Sequence, residues 1–587
     1  MINNPSKKLA AIWSGQVDIW VEGLASWTGG GKVIFSCNGK SDAVGLGPVD
    51  IAVDANRDGV IAMAASPVTG KPLDKTEEGK PFGFWVNDDN DGMPNAEGEF
   101  LGTGSADYED GVIQTARDLE DFARLHIYLG VFQNEVVNGT LKIGLKWKNT
   151  NGTSPKINVY TSTDTAGTDA YLQSETAAFA QVSGADAAML GEVSGSTLLK
   201  LPASASNSKK CLLFEGVGEG KGELMLVIKT ADGTEIEGPG VWLDLKSIRK
   251  MYSRGHSAPD AAWQPPFDQN PYQAPIVGFE PLDAIAIEAP FDETDELIVF
   301  VHGIHSPGLN FNEATNVFTR DADTIFKRTW WQGYKGRFAF YKWDALNAIN
   351  PAEYNQSEFR AWKSGRGLAQ YVASLPGATK NIMAHSQGNN VMCAALRDYG
   401  LQIDNYIIMQ GAAPAFCYDE NLPLAFSYTT PDHVNELGYR GYLPSTVSTR
   451  IVNFSNPNDN VTGIIWELNQ QFSKPDGTGI GSIRKISGPW YNYLPGNPAG
   501  QRCTLTYWLD YGRFVTDLHE STAMVVQSNS RSIAHTPQTG GLVADNVPMD
   551  TEFQFGDEHG SQFGRPIQQL NGFFDEVLKQ CGLPFNP

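Results

Sequence analysis

The sequence predicts a multidomain chain in two unlike parts: N-terminal all-β, sandwich-like modules, then an α/β domain with a mainly parallel, doubly wound sheet. Three observations carry this expectation. Through roughly the first 250 residues, short β-rich runs are separated by clusters of Gly, Asn, Ser and Thr. From about residue 277, strand-like and helix-like segments alternate. Between them, 254–276 carries five prolines and little periodicity, the composition of a linker. The chain of 587 residues is also longer than one ordinary core accommodates.

In chain order, the N-terminal strands are read at Val17 to Val21, Lys32 to Cys37, Val49 to Val53, Phe82 to Val86, Leu125 to Gly130, Leu141 to Trp147, Ile157 to Thr161, Cys211 to Phe214 and Leu224 to Lys229. Val241 to Tyr252 reads as a short helix closing this region, which spans 1–253. In the second region, 277–587, Leu297 to Val301 and Phe338 to Tyr341 are buried-type strands, and Ser357 to Leu375 is helical. Strands at Tyr406 to Met409 and Arg450 to Phe454 and a closing amphipathic helix, Ile567 to Lys579, follow. In such a sheet, ligands sit at the carboxyl ends of the strands.

The bulk composition excludes several classes. A hydrophobic fraction of 41% with 11% aromatics is that of a globular chain. A formal charge of −23 argues against nucleic acid or an anionic membrane as the default partner. No window approaches the ~18 uninterrupted apolar residues of a membrane span, so only transient lipid-surface contact is expected. The N-terminus carries no apolar signal region, which leaves both an extracellular and a cytoplasmic location open. Six cysteines without C-x-x-C spacing suggest neither a zinc site nor a disulfide framework, and Cys393 reads as a small buried apolar residue.

The chemistry concentrates at Asn381-Ile382-Met383-Ala384-His385-Ser386-Gln387-Gly388-Asn389. A short apolar run enters a serine, and a helix-compatible segment leaves it. That is the layout of a nucleophile elbow, with Ala384 in place of the usual first glycine and Gly388 as the second. A serine needs a base, an orienting acid and an oxyanion hole. The acid is sought after the second strand beyond the nucleophile, where Asn456-Pro457-Asn458-Asp459 offers Asp459, with Asp419 as the fallback. In the order Ser, Asp, His, the base comes from His519, His535 or His559. His559 stands just before the closing helix and is preferred, and His535 remains open. His302 and His305 read as structural residues, and His385 as a packing residue.

Over about 277–587 this set resembles the α/β-hydrolase superfamily. His302-Gly303 at a strand end is similar to the H-G dipeptide of its lipases. The resemblance implies an oxyanion hole from the main-chain N–H groups of Gln387 and Ile304. The stretch His559-Gly560-Ser561-Gln562-Phe563 is also similar to a neighbourhood in large bacterial lipase-like proteins, secreted antibacterial lipase effectors among them. A departure from the family is the long separation of Asp459 and His559. The insert at about 463–550, rich in Trp and Tyr, reads as a lid or acyl-binding wall. The resemblance implies a serine hydrolase cleaving carboxylic esters or lipids through an acyl-enzyme, with no cofactor for catalysis. A phospholipase or an acyltransferase would use the same triad.

Two acidic loops in the first region share one spacing: Asp54-x-Asn56-x-Asp58-Gly59 and Asn87-x-Asp89-x-Asp91-Gly92. Alternate oxygen-bearing residues on a tight loop suit structural Ca2+, so Asp54, Asn56, Asp58, Asn87, Asp89 and Asp91 are candidate ligands. The glutamate of an EF-hand is missing, since Ala65 and Gly98 stand in its place. Solvated Asx-rich turns are the plainer reading of the same residues. A competing function of another class follows from these loops: a calcium-dependent adhesion or carbohydrate-binding protein with an inactive hydrolase-like scaffold.

Overall fold

Among the described residues strand dominates, 45% against 24% helix. The computed structural model describes residues 31–37, 40–46, 49–55, 59–61, 74–86, 122–129, 132–162, 164, 167, 189–202, 209–262, 276–282, 295–304, 317–334, 336–345, 351–413, 415–418, 443, 448–462, 485–486, 503–504, 532–534, 541–556, 559–563 and 567–583. A hairpin of β1 (Gly31–Cys37) and β2 (Lys40–Leu46) comes first. The strand expected at Val17 to Val21 lies outside the described residues.

Ten strands then form the first large sheet. They are β3 (Asp50–Val53), β4 (Phe82–Val86), β5 (Phe122–Tyr128), β6 (Lys142–Asn151), β7 (Lys156–Thr161), β8 (Met189–Ser194), β9 (Leu199–Lys200), β10 (Lys209–Gly218), β11 (Gly220–Lys229) and β12 (Glu235–Ser247). Helix α1 (Gln133–Val137) lies between β5 and β6. Most neighbours are antiparallel, but β4 runs parallel to both β10 and β12. The helix expected over Val241 to Tyr252 is corrected: β12 continues to Ser247, and a short 3-10 turn, Ile248–Lys250, follows. The residues themselves explain this. Val241, Leu243 and Leu245 are buried while Trp242, Asp244 and Lys246 between them are less so, which is the period of a strand.

The second sheet holds eight strands: β13 (Ser253–Pro259), β14 (Ile276–Pro281), β15 (Glu296–Val301), β16 (Arg337–Lys342), β17 (Thr379–His385), β18 (Asn405–Met409), β19 (Arg450–Ser455) and β22 (Val543–Pro548). A small hairpin, β20 (Lys485–Ile486) and β21 (Cys503–Thr504), intervenes in the chain before β22. The order is β14-β13-β16-β15-β17-β18-β19-β22. β13 and β14 pair antiparallel, and the remaining neighbours pair parallel. Its helices are α2 (Val317–Trp331), α3 (Pro351–Ser374), α4 (Gly388–Tyr399), α5 (Met549–Glu552) and α6 (Ile567–Gln580).

The expected fold class is corrected by these pairings. The molecule is sheet-rich and both large sheets are mixed; an all-β sandwich joined to a mainly parallel, doubly wound α/β-hydrolase sheet does not describe it. Two boundaries move as well. Residues 254–259, read as linker, are β13 and pair with β16 and β14. The far end of the expected insert contains β22, which pairs with β19.

One aromatic core joins the two sheets. Trp85 of β4 lies 4.4 Å from Phe84 and 4.7 Å from Trp330 of α2, centroid to centroid. Phe326 of α2 meets Tyr252 at 5.4 Å, and Tyr252 meets Phe338 of β16 at 5.2 Å. The Tyr252 hydroxyl donates to Asp323 Oδ1 in the same layer. Each such aromatic contact contributes about 0.5–1.5 kcal/mol beyond burial, so α2 ties the sheets firmly. Successive residues of the central strands serve different cores: Ile298 and Phe300 join this one, whereas Val299 and Val301 pack with α3 and α4 residues such as Trp362 and Val391. Among the described residues, no helix is long and apolar enough to cross a membrane.

Helix α6 carries a half-buried acid. Asp575 Oδ1 is buried without a hydrogen-bond partner, and burial first, then the neighbouring Glu576, push this carboxyl up to about 7. Between pH 4 and 7 the folded protein then holds a proton that the unfolded chain releases, so stability falls as pH rises through that window. Asp575→Asn is expected to remove this slope and to stabilise the fold at pH 8 by about 2 kcal/mol. Urea unfolding at pH 5 and pH 8 measures it, and an unchanged difference between the two pH values would refute it.

Candidate active site

The elbow is built by close packing around one strained residue. β17 runs buried from Asn381 to His385, α4 starts at Gly388, and Ser386 between them has φ +52°. A non-glycine residue holds that conformation only where its surroundings impose it. Here the Ser386 N–H donates to Met409 O at 3.1 Å. Its carbonyl accepts from Ala412 N at 3.1 Å and from Asn389 Nδ2 at 2.9 Å. Asn389 Nδ2 also donates to Ala384 O at 3.0 Å, and its Oδ1 accepts from the Tyr406 hydroxyl at 2.6 Å. A Cβ on Gly388 would lie 2.6 Å from the carbonyl oxygens of Val301 and His302, and one on Gly303 would lie 2.6 Å from Ser386 Cβ. The small residues on either side of the serine are therefore steric requirements, and buried Ala384 meets the first of them without a glycine.

The acid sits on the turn after β19. Asn456 O accepts from Asp459 N at 3.1 Å, and Asn456 Oδ1 accepts from Asn458 N at 3.1 Å. Asp459 Oδ1 accepts from Val461 N at 2.8 Å and Thr462 N at 3.2 Å, which aims Oδ2 at His559 Nδ1, 2.7 Å away. Burial pushes the Asp459 carboxyl up, but the charge and hydrogen bond of His559, with the bonds at Thr462, outweigh it and hold the group below its usual value. An ionised Asp459 is a pure acceptor, so His559 carries its proton on Nδ1 and leaves Nε2 as the basic nitrogen.

Ser386 Oγ and His559 Nε2 are both buried without a hydrogen-bond partner. The two are thus not bonded to each other, and the last link of a Ser-His-Asp relay is unmade, as is common before substrate binds. Their neighbourhood is shared. The His559 ring lies 4.6 Å from that of His385, the residue before the serine, and Phe563 closes on His385 at 5.0 Å. A Cβ on Gly303 would be 2.6 Å from Ser386 Cβ and 2.8 Å from His385 Nδ1, so the serine and the residue before it both pack against that glycine. No protein-family model and no curated protein matches the chain.

The proposed oxyanion donors flank this point. Gln387 opens α4 directly after the serine, and Ile304 follows His302-Gly303 at the end of β15. His302 fixes that loop. Its Nε2 accepts from Trp343 N at 3.1 Å, which makes Nδ1 the donor to Gly303 O at 2.7 Å. The Trp343 indole donates to His302 O at 2.7 Å and stacks on the imidazole at 5.3 Å. His305, His519, His535 and Asp419 lie outside the described residues.

Of the acidic loops, Asp54 is described. It is buried, and its Oδ2 accepts from Gly59 N at 3.1 Å across a turn that Gly59 closes at φ +78°. Asn56, Asp58, Asn87, Asp89 and Asp91 lie outside the described residues. Among the described residues, no group of three His, Cys, Asp or Glu side chains is arranged to hold a metal. Cys393 is a buried thiol 3.1 Å from the Tyr418 hydroxyl, with burial raising its pKa to about 12.

Three side chains have supporting roles that the sequence reading did not assign. Asn389 braces the elbow as described. Asn456 Nδ2 donates to Gly556 O at 2.9 Å, which ties the acid turn to the base loop. Gln410 Oε1 accepts from Gly560 N at 2.9 Å, next to His559. The Asn456-Pro457 pair did carry a turn signal. Nothing local marks Gln410.

Proposed function

We propose that the chain is a serine hydrolase of carboxylic esters, lipase- or esterase-like. The observation that carries the reading is the Asp459–His559 bond, 2.7 Å across 100 residues of sequence, with the far nitrogen unpartnered and the ring 4.6 Å from that of His385, the residue before a strained, unpartnered serine. Ser386 Oγ attacks the acyl carbon as its proton passes to His559 Nε2. Asp459 keeps the Nδ1 proton and stabilises the imidazolium. The main-chain N–H groups of Gln387 and Ile304 receive the developing oxyanion. Collapse breaks the ester C–O bond, Nε2 returns the proton to the departing alcohol, and an acyl-enzyme remains. Water, deprotonated by the same nitrogen, then releases the acid.

Phe563, which meets the His385 ring at 5.0 Å and is backed by Phe300 at 5.8 Å, favours an apolar acyl group over a charged one. A phospholipase or acyltransferase would use the same groups with a different acceptor or head group. The test is labelling with a fluorophosphonate, followed by hydrolysis of p-nitrophenyl esters from acetate to palmitate. Covalent modification of Ser386 and turnover that rises beyond acetate are expected. A protein that leaves the phosphonate unreacted at Ser386 is not a serine hydrolase of this kind.

A further inference from the structure

We infer that Gln410 is a positioning residue for the base, an inference that rests on the serine-hydrolase reading. Gln410 is fully buried and follows β18 at φ +43°, a backbone state that a glutamine does not adopt without constraint. Its N–H donates to Phe454 O on the neighbouring strand at 3.2 Å. On one side its chain neighbours grip the nucleophile, since Met409 O accepts from Ser386 N and Ala412 N donates to Ser386 O, each at 3.1 Å. On the other side its own Oε1 accepts from Gly560 N at 2.9 Å, 150 residues away in sequence. Gly560 is the residue after His559 and has φ +96°. The short segment 409–412 therefore holds the serine through its main chain and the base loop through one side chain.

Asp459 fixes the Nδ1 end of His559 and the His385 ring packs on it at 4.6 Å, but neither contact fixes the backbone from which the ring projects. The Gln410–Gly560 bond restrains the backbone from which the ring projects, and so sets where Nε2 lies relative to Ser386 Oγ. Displacement of a reacting group by about 1 Å costs on the order of 100-fold in rate. Gln410 is fully buried, so the loss of its bond is expected in the chemical step and not in substrate affinity.

The experiment compares Gln410→Met, which keeps the volume and loses the acceptor, with Gln410→Glu, whose carboxyl oxygen can still accept from Gly560 N. Steady-state hydrolysis of a p-nitrophenyl ester, the rate of phosphonate labelling and the melting temperature are read for each. Gln410→Met is expected to lose about 100-fold in kcat and in labelling rate with KM unchanged, and Gln410→Glu to stay within about tenfold of the parent. Gln410→Leu takes the place of the methionine variant if that one does not fold. Parent protein that labels at Ser386 alongside Gln410→Met that labels equally fast overturns the role of Gln410 alone. So does a loss confined to KM, or a glutamate variant as impaired as the methionine one. Parent protein that does not label overturns the hydrolase reading itself.

Discussion

Replacing Ser386 with alanine is expected to lower ester hydrolysis about 10⁶-fold while the protein stays folded. The size follows from the division of labour at such sites: without the nucleophile, the base and its acid have nothing to activate, and only binding and oxyanion stabilisation remain. The fold prediction follows from the backbone. Ser386 is held at φ +52° by bonds from Met409, Ala412 and Asn389 that its side chain does not make, so they survive the change. Ser386→Gly sharpens the result. Glycine relaxes a left-handed residue, so this variant is expected to be as inactive as the alanine one and about 1 kcal/mol more stable. Initial rates and chemical denaturation of both variants decide the matter. Residual activity above about 1% in either would remove Ser386 from the mechanism.

Asp459→Asn is expected to cost about 10⁴-fold in kcat. The asparagine carbonyl can keep the bonds from Val461 N and Thr462 N, which turns its amide toward His559. Two donors would then face each other, so the imidazole moves its proton to Nε2 and can no longer accept one from Ser386. A loss of stability in acid is expected from the same carboxylate. Because the Asp459 carboxyl is held below its usual value, its contribution to stability is full above the ordinary carboxylate range and is lost only as pH falls below it. Kinetics of Asp459→Asn between pH 5 and 9 test this, and activity within tenfold of the parent at any pH would contradict it.

The elbow was legible in the sequence because its determinants are local. An apolar run, two small residues and a helix start lie within a few positions of Ser386, and each constrains the same turn. Asp459 and His559 were legible through chain order, and their contact across 100 residues is the geometry that order anticipates. Gln410 was not legible, because the meaning of a glutamine depends on what it meets 150 residues away. The sheet suffered in the same way. β13, Ser-Arg-Gly-His-Ser-Ala-Pro, and β22, Val-Ala-Asp-Asn-Val-Pro, are polar and proline-bearing, and are strands through their neighbours β16, β14 and β19 more than through their own propensity. The parallel setting of β4 is likewise a long-range pairing that no local pattern encodes. Val241 to Tyr252 was a different kind of miss, since its alternation was present in the residues and was outweighed by helix-compatible ones.

The aromatic layer of Phe84, Trp85, Trp330, Phe326 and Tyr252 sets the limits on cutting this protein apart. A fragment beginning near residue 277 would retain Ser386, Asp459 and His559, yet it would bare the indole of Trp330 and delete strand β13, which pairs β14 to the rest of its sheet. Such a fragment is a sticky, edge-exposed half. The N-terminal region is therefore an inseparable buttress for the region that carries Ser386, and the smallest unit able to inherit the candidate site is close to the whole chain.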